Sequence, residues 1–237
     1  MTMMLRMAGT LGQRLEVDPA LVGWWKFDGD LTDASGNGNN GTVGAGIAAY
    51  AEGVYGQAFD FDGSNAVDTG SETIGDGLFA DADRRWTVSV WAAVPAGINR
   101  GTIVARGASD LDERTFQIYH QDGQDGERSP GVFIRGARTV TSLGLNNGQW
   151  YFYTVSWDGS TARLFVDGVF VMNLSVGSAD ENSGERVIIG ARTNGTAFRL
   201  TGLVDNLMIY NRALTPSEIK YVYDTGRPIP KGATVNA

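Results

Sequence analysis

Short apolar stretches, each cut off by a glycine-bearing dipeptide, recur along most of this chain. Asp-Gly starts at Asp28, Asp62, Asp76, Asp122, Asp125, Asp158 and Asp167, and Asn-Gly at Asn40, Asn147 and Asn194; these pairs tolerate the positive φ of tight turns. Strand-like runs lie between them at 23–27, 57–61, 86–94, 101–106, 115–119, 131–135, 150–157, 161–166, 169–174, 185–189 and 202–210. The clearest unit runs from Trp150 through the Asp158-Gly159 and Asp167-Gly168 turns to Leu174, which predicts a three-strand meander. One helical turn or two is predicted at 215–223, where Thr215 can cap, Pro216 takes the first helical position and Glu218 the third. No βαβ alternation is present. The pattern therefore predicts an all-β fold, a two-sheet antiparallel jelly-roll sandwich with a short C-terminal helical turn. Residues 1–18 and 227–237 show neither period, and are read as an N-terminal arm and a C-terminal tail around a domain at 19–226.

In the run 202–210, strict alternation puts Leu203, Asp205, Leu207 and Ile209 on one face and Val204, Asn206, Met208 and Tyr210 on the other. Asp205 is then expected on a face that otherwise reads as core. An ionised carboxylate there costs several kcal/mol unless it is paired, hydrogen-bonded or bound to a cation. Near the other end of the chain, Asp28 and the segment Asp33-Ala-Ser-Gly-Asn-Gly-Asn-Asn-Gly41 are rich in oxygen ligands.

Composition narrows the chemistry. The 237 residues suffice for one large all-β domain, and 33 glycines with only 6 prolines suit short strands and tight turns. A formal charge of −8, with 27 acids against 19 Lys and Arg, argues against nucleic acid and suits cation binding. The chain has no cysteine, which removes disulfides, thiolate metal sites and cysteine nucleophiles. With His120 as its one histidine, any metal is expected to be a hard, oxygen-ligated ion such as calcium. Arg6 interrupts the apolar N-terminus before a run of signal-peptide length, so export by that route is not expected. No stretch reaches the roughly 20 apolar residues of a membrane span.

The ordered set WWKFDGDLTDASGNGNNGTV, GQAFDFDGSNAV, WTVSVWAAV, GQWYFYTVSWDGSTARLFVDGVFV, VIIGA and GLVDNLMIYNRALTPSEI, spread over roughly residues 21 to 225, resembles laminin G-like domains of the concanavalin A-like jelly-roll superfamily. The resemblance implies two antiparallel sheets, one of them concave, with the first and last strands adjacent, so that Asp28 and Asp205 come together. It also implies a structural calcium ion there, for which Asp28, Asp205, Asn37 and Asn40 are the candidate ligands. The alternative is a loop of Asx-turns with Asp205 bound to backbone amides. The spacing of an EF-hand is absent.

Enzymatic readings find less support. Superfamily relatives that cleave β-glucans carry an alternating Glu-x-Asp-x-Glu strand for acid and nucleophile, and this chain has no such run. The acids Asp110, Asp112, Glu113, Asp180, Glu181 and Glu185 fall in glycine- and serine-bearing segments, where solvated charge is the better account. His120 has no nucleophile specified beside it and is expected at a surface or turn. Ligand binding is expected of the loop residues Arg106, Arg114, His120, Arg128, Arg192 and Asn194, with Gln121 and Arg199, whose polar groups suit sugar hydroxyls or acidic glycans. All six tryptophans lie in strand-like runs and are expected in the core.

The expectation is thus a non-enzymatic, laminin G-like surface or adhesion protein with calcium and glycan binding as its chemistry. An apolar arm, no signal peptide and no cysteine suit a protein assembled inside a cell, such as a bacteriophage virion decoration, fibre or tail-associated component. Its partners would be a glycan or cell-surface ligand, and self or other virion proteins through residues 1–18. The alternative is a secreted bacterial carbohydrate-binding module.

Overall fold

Turn chemistry and alternation fold the residues described by this computed structural model, namely 16–70, 74, 78, 84–97, 100–106, 116–122, 128–178, 186–192 and 198–235, into fifteen strands and one helix. The strands are β1 (Leu21–Trp25), β2 (Thr42–Ala45), β3 (Tyr50–Glu52), β4 (Gln57–Asp62), β5 (Ala66–Asp68), β6 (Trp86–Ala93), β7 (Arg100–Arg106) and β8 (Phe116–Asp122), then β9 (Arg128–Ile134), β10 (Ala137–Val140), β11 (Trp150–Trp157), β12 (Ala162–Val166), β13 (Val169–Leu174), β14 (Val187–Ile189) and β15 (Thr201–Tyr210). Helix α1 spans Pro216–Thr225. The first sheet runs β13-β12-β11-β6-β15-β4-β3, with β1 also paired to β15. The second runs β10-β9-β8-β7-β14-β5-β2. All the pairings are antiparallel, and the result is a jelly roll.

Every strand-like run of the sequence falls on a strand, while β2, β3, β5 and β10 were not anticipated. Segments of three or four residues are too short to display a period of two. The β12–β13 turn takes the form expected of Asp-Gly, with positive φ at both Asp167 (51°) and Gly168 (75°). The β9–β10 turn has the same signs at Arg135 (49°) and Gly136 (84°), although Arg-Gly is no hairpin signal by itself.

Inward residues of the two sheets meet in the main core, which includes Trp25, Phe59, Phe61, Val88, Val90, Ile103, Ile118, Val132, Val155 and Leu207. The outer face of the first sheet is apolar as well. Trp91, Phe152, Met208 and Tyr210 form a second core there, closed by Leu214 together with Ile219 and Val222 of α1. The helix starts as expected. The Thr215 hydroxyl accepts from the Glu218 amide at 3.3 Å, and the Glu218 carboxylate accepts from the Thr215 amide at 2.8 Å.

Residues 1–15 of the expected arm lie outside the described residues. Its last three residues join the folded body. Val17 bridges to Pro230, the Asp18 amide donates to the Ile229 carbonyl at 2.8 Å, and the Lys231 amide donates to the Glu16 carbonyl at 2.8 Å. Ile229 is buried in the second core. The two ends therefore pair with each other across the boundaries expected after residues 18 and 226.

Arg212 locks this junction by donating from Nε to Asp18 Oδ2 at 2.8 Å and from Nη1 to Glu218 Oε2 at 2.9 Å. Burial pulls Glu218 upward, but the bonds from Arg212 and Thr215 prevail and hold it below the usual glutamate value. Replacing Arg212 by Gln leaves two partly buried carboxylates without a cation. Urea unfolding at neutral pH should show a loss of about 2 kcal/mol. Because Glu218 is depressed on folding, its contribution is present above the unfolded glutamate value and disappears as pH falls through the folded one. The difference between wild type and Arg212→Gln should shrink accordingly on acidification below about pH 4.

Candidate functional site

β15 does not alternate as the sequence suggests. Asn206 has φ 52°, and the pairing with β6 slips between Asp205 and Met208, so that β15 carries one extra residue there. Val204 and Leu207 both face the main core. Asp205 pairs with Trp91 and turns to the outer face instead of sharing the core face with Leu207 and Ile209. The bulge is the physical reason that the expected shared face fails.

At the bulge Asp205 meets the β3–β4 turn. Its Oδ2 accepts from the amides of Val54 (2.8 Å) and Tyr55 (2.9 Å). Asp28 holds the same turn from the other side, its Oδ1 accepting from the Gln57 amide at 3.0 Å while Oδ2 faces Lys26 at 3.3 Å. A Cβ on Gly56 would stand 2.0 Å from Asp28 Oδ1, and one on Gly53 would stand 2.8 Å from Asp205 Oδ2, so two glycines admit the two carboxylates. Asp205 is fully buried and its Oδ1 has no hydrogen-bond partner. Burial pushes its carboxyl up to about 7, opposed by the Tyr55 and Val54 amides and reinforced by Asp28.

The other two candidate metal ligands lie elsewhere. Asn37 Nδ2 donates to the Leu21 carbonyl at 2.8 Å, which places it at the start of β1, whereas Asp28 follows the end of that strand. Asn40 Oδ1 accepts from the Asp33 amide at 2.9 Å. Asp33 in turn accepts from the amides of Trp24, Ser35 and Asn39, so the loop is a set of Asx contacts that clips it to β1. Among the described residues no group of three or more His, Asp or Glu comes together. Asp28 and Asp205 suit a hard cation through their charge and the orphaned Oδ1. Asn37 is directed to the far end of β1.

The outer face of the second sheet offers different chemistry. Alternation in β8 sends Phe116 and Ile118 into the core and Gln117, Tyr119 and Gln121 to the opposite face, where Gln117 and Tyr119 are buried and Gln121 is half-buried. Tyr119 lies over Gly131 of β9, where a Cβ would stand 2.0 Å from the ring. The Arg100 guanidinium sits 4.4 Å from the Tyr119 centroid, 5.5 Å from Phe133 and 5.1 Å from Phe198. Phe198 is tied in place by its carbonyl, which accepts from the Thr102 amide at 2.9 Å. Arg138 donates from Nε to the Tyr119 hydroxyl at 2.7 Å and from Nη2 to Gln121 Oε1 at 2.5 Å. Gln117 Nε2 donates to the Thr102 hydroxyl at 2.7 Å, while its Oε1 is buried without a partner.

Of the residues expected to bind ligand, Arg192 packs beneath this face, its guanidinium 4.4 Å from the Phe198 centroid, and is itself buried. Arg106 and His120 are corrected. Both are strand residues rather than loop residues, paired with Phe116 and with Pro130 respectively, and both are buried (His120 is 3% exposed). Each takes the inward phase of its strand, so neither is presented to solvent. Arg128 opens β9 opposite Asp122. Arg114 and Asn194 lie outside the described residues. The sequence reading missed Arg100, Tyr119, Gln121, Phe133 and Arg138. The alternation of Phe-Gln-Ile-Tyr-His-Gln in β8 was the available signal.

Two packed antiparallel sheets with this strand order define a lectin-like jelly-roll domain. The chain belongs to the concanavalin A-like lectin/glucanases superfamily, whose laminin G model matches residues 61–220. No curated protein sequence matches it. Among solved structures, it is similar to domain 4 of AbnA, a GH43 extracellular arabinanase from Geobacillus stearothermophilus in complex with arabinotriose, with 24% identity, a TM-score of 0.65, and coverage of 88% of this chain and 99% of that one. It is also similar to the binding domain of Paraclostridial Mosquitocidal Protein 1, with 19% identity, a TM-score of 0.64, and coverage of 87% and 52%. The binding domain of botulinum neurotoxin DC in complex with SialylT gives 10% identity, a TM-score of 0.63, and coverage of 88% and 52%. The chain spans about half the length of these two toxin binding domains. At these identities the likenesses speak to the fold.

The buried Asp205 carboxyl generates a pH prediction. Its folded value of about 7 lies above the ordinary 3.8, so between those values the folded state holds a proton that the unfolded state has lost. Stability should therefore fall as pH rises from about 4 to about 7 and level off above. Thermal melts in chelator across this range should show that decline in the wild type and a weaker one in Asp205→Asn.

Proposed function

We propose that this domain is a non-catalytic adhesion module that binds glycans on the outer face of its second sheet. The observation that carries the reading is the group Arg100, Gln121 and Arg138, accessible on this face and held over a buried layer of Gln117, Tyr119 and Phe133. The Gln121 amide and the two guanidiniums supply the directional hydrogen bonds that saccharides require, and the rings beneath hold them in place. None of these side chains is a carboxylate able to serve as the acid or nucleophile of glycoside cleavage. A neutral and acidic glycan array should show binding to a restricted set of saccharides. Incubation with bound ligands should release no reducing sugar. Failure to bind any saccharide, or turnover abolished by a single carboxylate substitution, would overturn the reading.

The setting proposed is a virion surface, on the grounds of the apolar arm and the composition. A secreted bacterial carbohydrate-binding module is the second reading, supported by the coverage of 99% of the arabinanase domain. Detection of the chain by mass spectrometry in purified virions, or instead in culture supernatant free of them, separates the two.

A structural calcium ion at Asp28 and Asp205 belongs to the same proposal. Such an ion would neutralise both carboxylates and give the orphaned Asp205 Oδ1 a partner. The chain's own contribution is to hold the 53–57 turn between the two side chains. Chelation should lower the melting temperature and added calcium should restore it, and Asp205→Ala should remove the response. An unchanged melt on chelation would remove calcium from the account.

A further inference from the structure

Three arginines elsewhere on the described surface are neutralised by acids. Arg163 pairs with Asp158, Arg186 with Asp68, and Arg212 with Asp18 and Glu218. Arg100 and Arg138 are not. Their contacts are with rings, a phenol and an amide, and no described carboxylate pairs with either, although the chain carries a net charge of −8. Two guanidiniums that meet at one tyrosine ring, 4.4 and 5.9 Å from its centroid, with no described carboxylate paired to either, make a local positive site.

We propose that Arg100 and Arg138 form an anion-binding subsite, and that the glycan taken by this face carries a carboxylate or sulfate group. The inference rests on the glycan-binding reading above and specifies its ligand class. The two side chains approach Tyr119 together, Arg100 over its ring at 4.4 Å and Arg138 bonded to its hydroxyl at 2.7 Å. Arg100 is held among three aromatic rings, and its Nε is buried without a hydrogen-bond partner. The rings fix the guanidinium plane and lower its hydration, which reduces what must be reorganised or desolvated when an anion arrives. Arg138 is exposed and spends Nε and Nη2 on Tyr119 and Gln121, which orients the group while leaving Nη1 without an assigned protein acceptor. Guanidinium forks match the planar oxygens of carboxylate and sulfate, and such charge-assisted bonds are stronger than those to neutral hydroxyls.

The test is titration of the full chain with 3′-sialyllactose and hexagalacturonate, beside lactose and methyl-esterified hexagalacturonate as uncharged counterparts. At least one acidic saccharide should bind about tenfold or more tightly than its neutral counterpart, and the difference should shrink as sodium chloride is raised. Arg138→Gln should abolish the preference while leaving residual binding of the neutral saccharide, with only a small fall in melting temperature from the lost bond to the Tyr119 hydroxyl. Arg100→Gln should do the same if it folds, and Arg138→Gln decides the matter if it does not. Equal affinity for acidic and neutral partners, or an acidic preference that survives Arg138→Gln, overturns the subsite while the glycan reading stands. Binding of no saccharide on the wider array removes both.

Discussion

Because Asn206 carries a left-handed backbone in the middle of β15, the strand has one residue more than β6 between Asp205 and Met208, and the two halves of β15 present opposite phases. That extra residue is what lets one strand serve three partners. Along one edge it pairs with β6 from Leu203 to Tyr210 on both sides of the bulge; along the other it pairs first with β4, up to Val204, and then with β1, from Leu207 onward. The hand-over falls at the bulge. Asn206 ties it down, accepting from Trp24 Nε1 at 2.6 Å and donating to the Gly226 carbonyl at 2.9 Å, which joins β1, β15 and the end of α1 in one set of contacts. A bulge bends and twists its strand, and here it also decides which side chains reach the main core and which reach the helix.

The buried acid follows from the same geometry. Asp205 stands where β4 and β1 leave a gap, and its Oδ2 satisfies two amides of a turn that no strand covers. Removing a carboxylate from water costs several kcal/mol, and two amide bonds with one oxygen still unpartnered offset only part of it. The cost is tolerated because the alternative is a turn with orphaned N–H groups inside the second core, beside Tyr55 and Trp91. Tyr55 then reaches across to donate to the Tyr223 carbonyl at 3.1 Å, so the turn that the acid holds also holds the helix.

What could be read from the chain follows the strength of local signals. The β11–β13 meander was legible because long alternating runs meet Asp-Gly turns, and α1 because Thr215, Pro216 and Glu218 spell a capping box. The contact of Asp28 and Asp205 with one turn was legible only through the family resemblance, since 177 residues separate them. The face of Asp205 was misread, because Val-Asp-Asn-Leu carries no glycine to announce a bulge and Asn206 supplies the positive φ instead. The face proposed for binding was missed for a related reason. Arginines in glycine-rich surroundings were taken for loop residues, but Arg106 belongs to a strand that turns it inward, while Arg100 and Arg138 acquire their surroundings from Tyr119 and Phe133 on separate strands. Such cross-strand neighbourhoods exist only after register is set.

The two sheets have consequently diverged in what their outer faces do. The first sheet lays Trp91, Phe152 and Tyr210 against α1 and against the paired ends at Val17 and Ile229, so its outward surface is consumed by the protein's own chain. The second carries polar outward residues on its central strands, and the aromatic rings among them are covered by guanidiniums instead of by a helix. A guanidinium laid on a ring keeps its charge and most of its donors, whereas an aliphatic side chain in the same place would close the surface. Tyr119 and Phe133 are thereby buried in the absence of a ligand while Arg138 stays exposed above them, which is the preorganisation that the proposed recognition role requires.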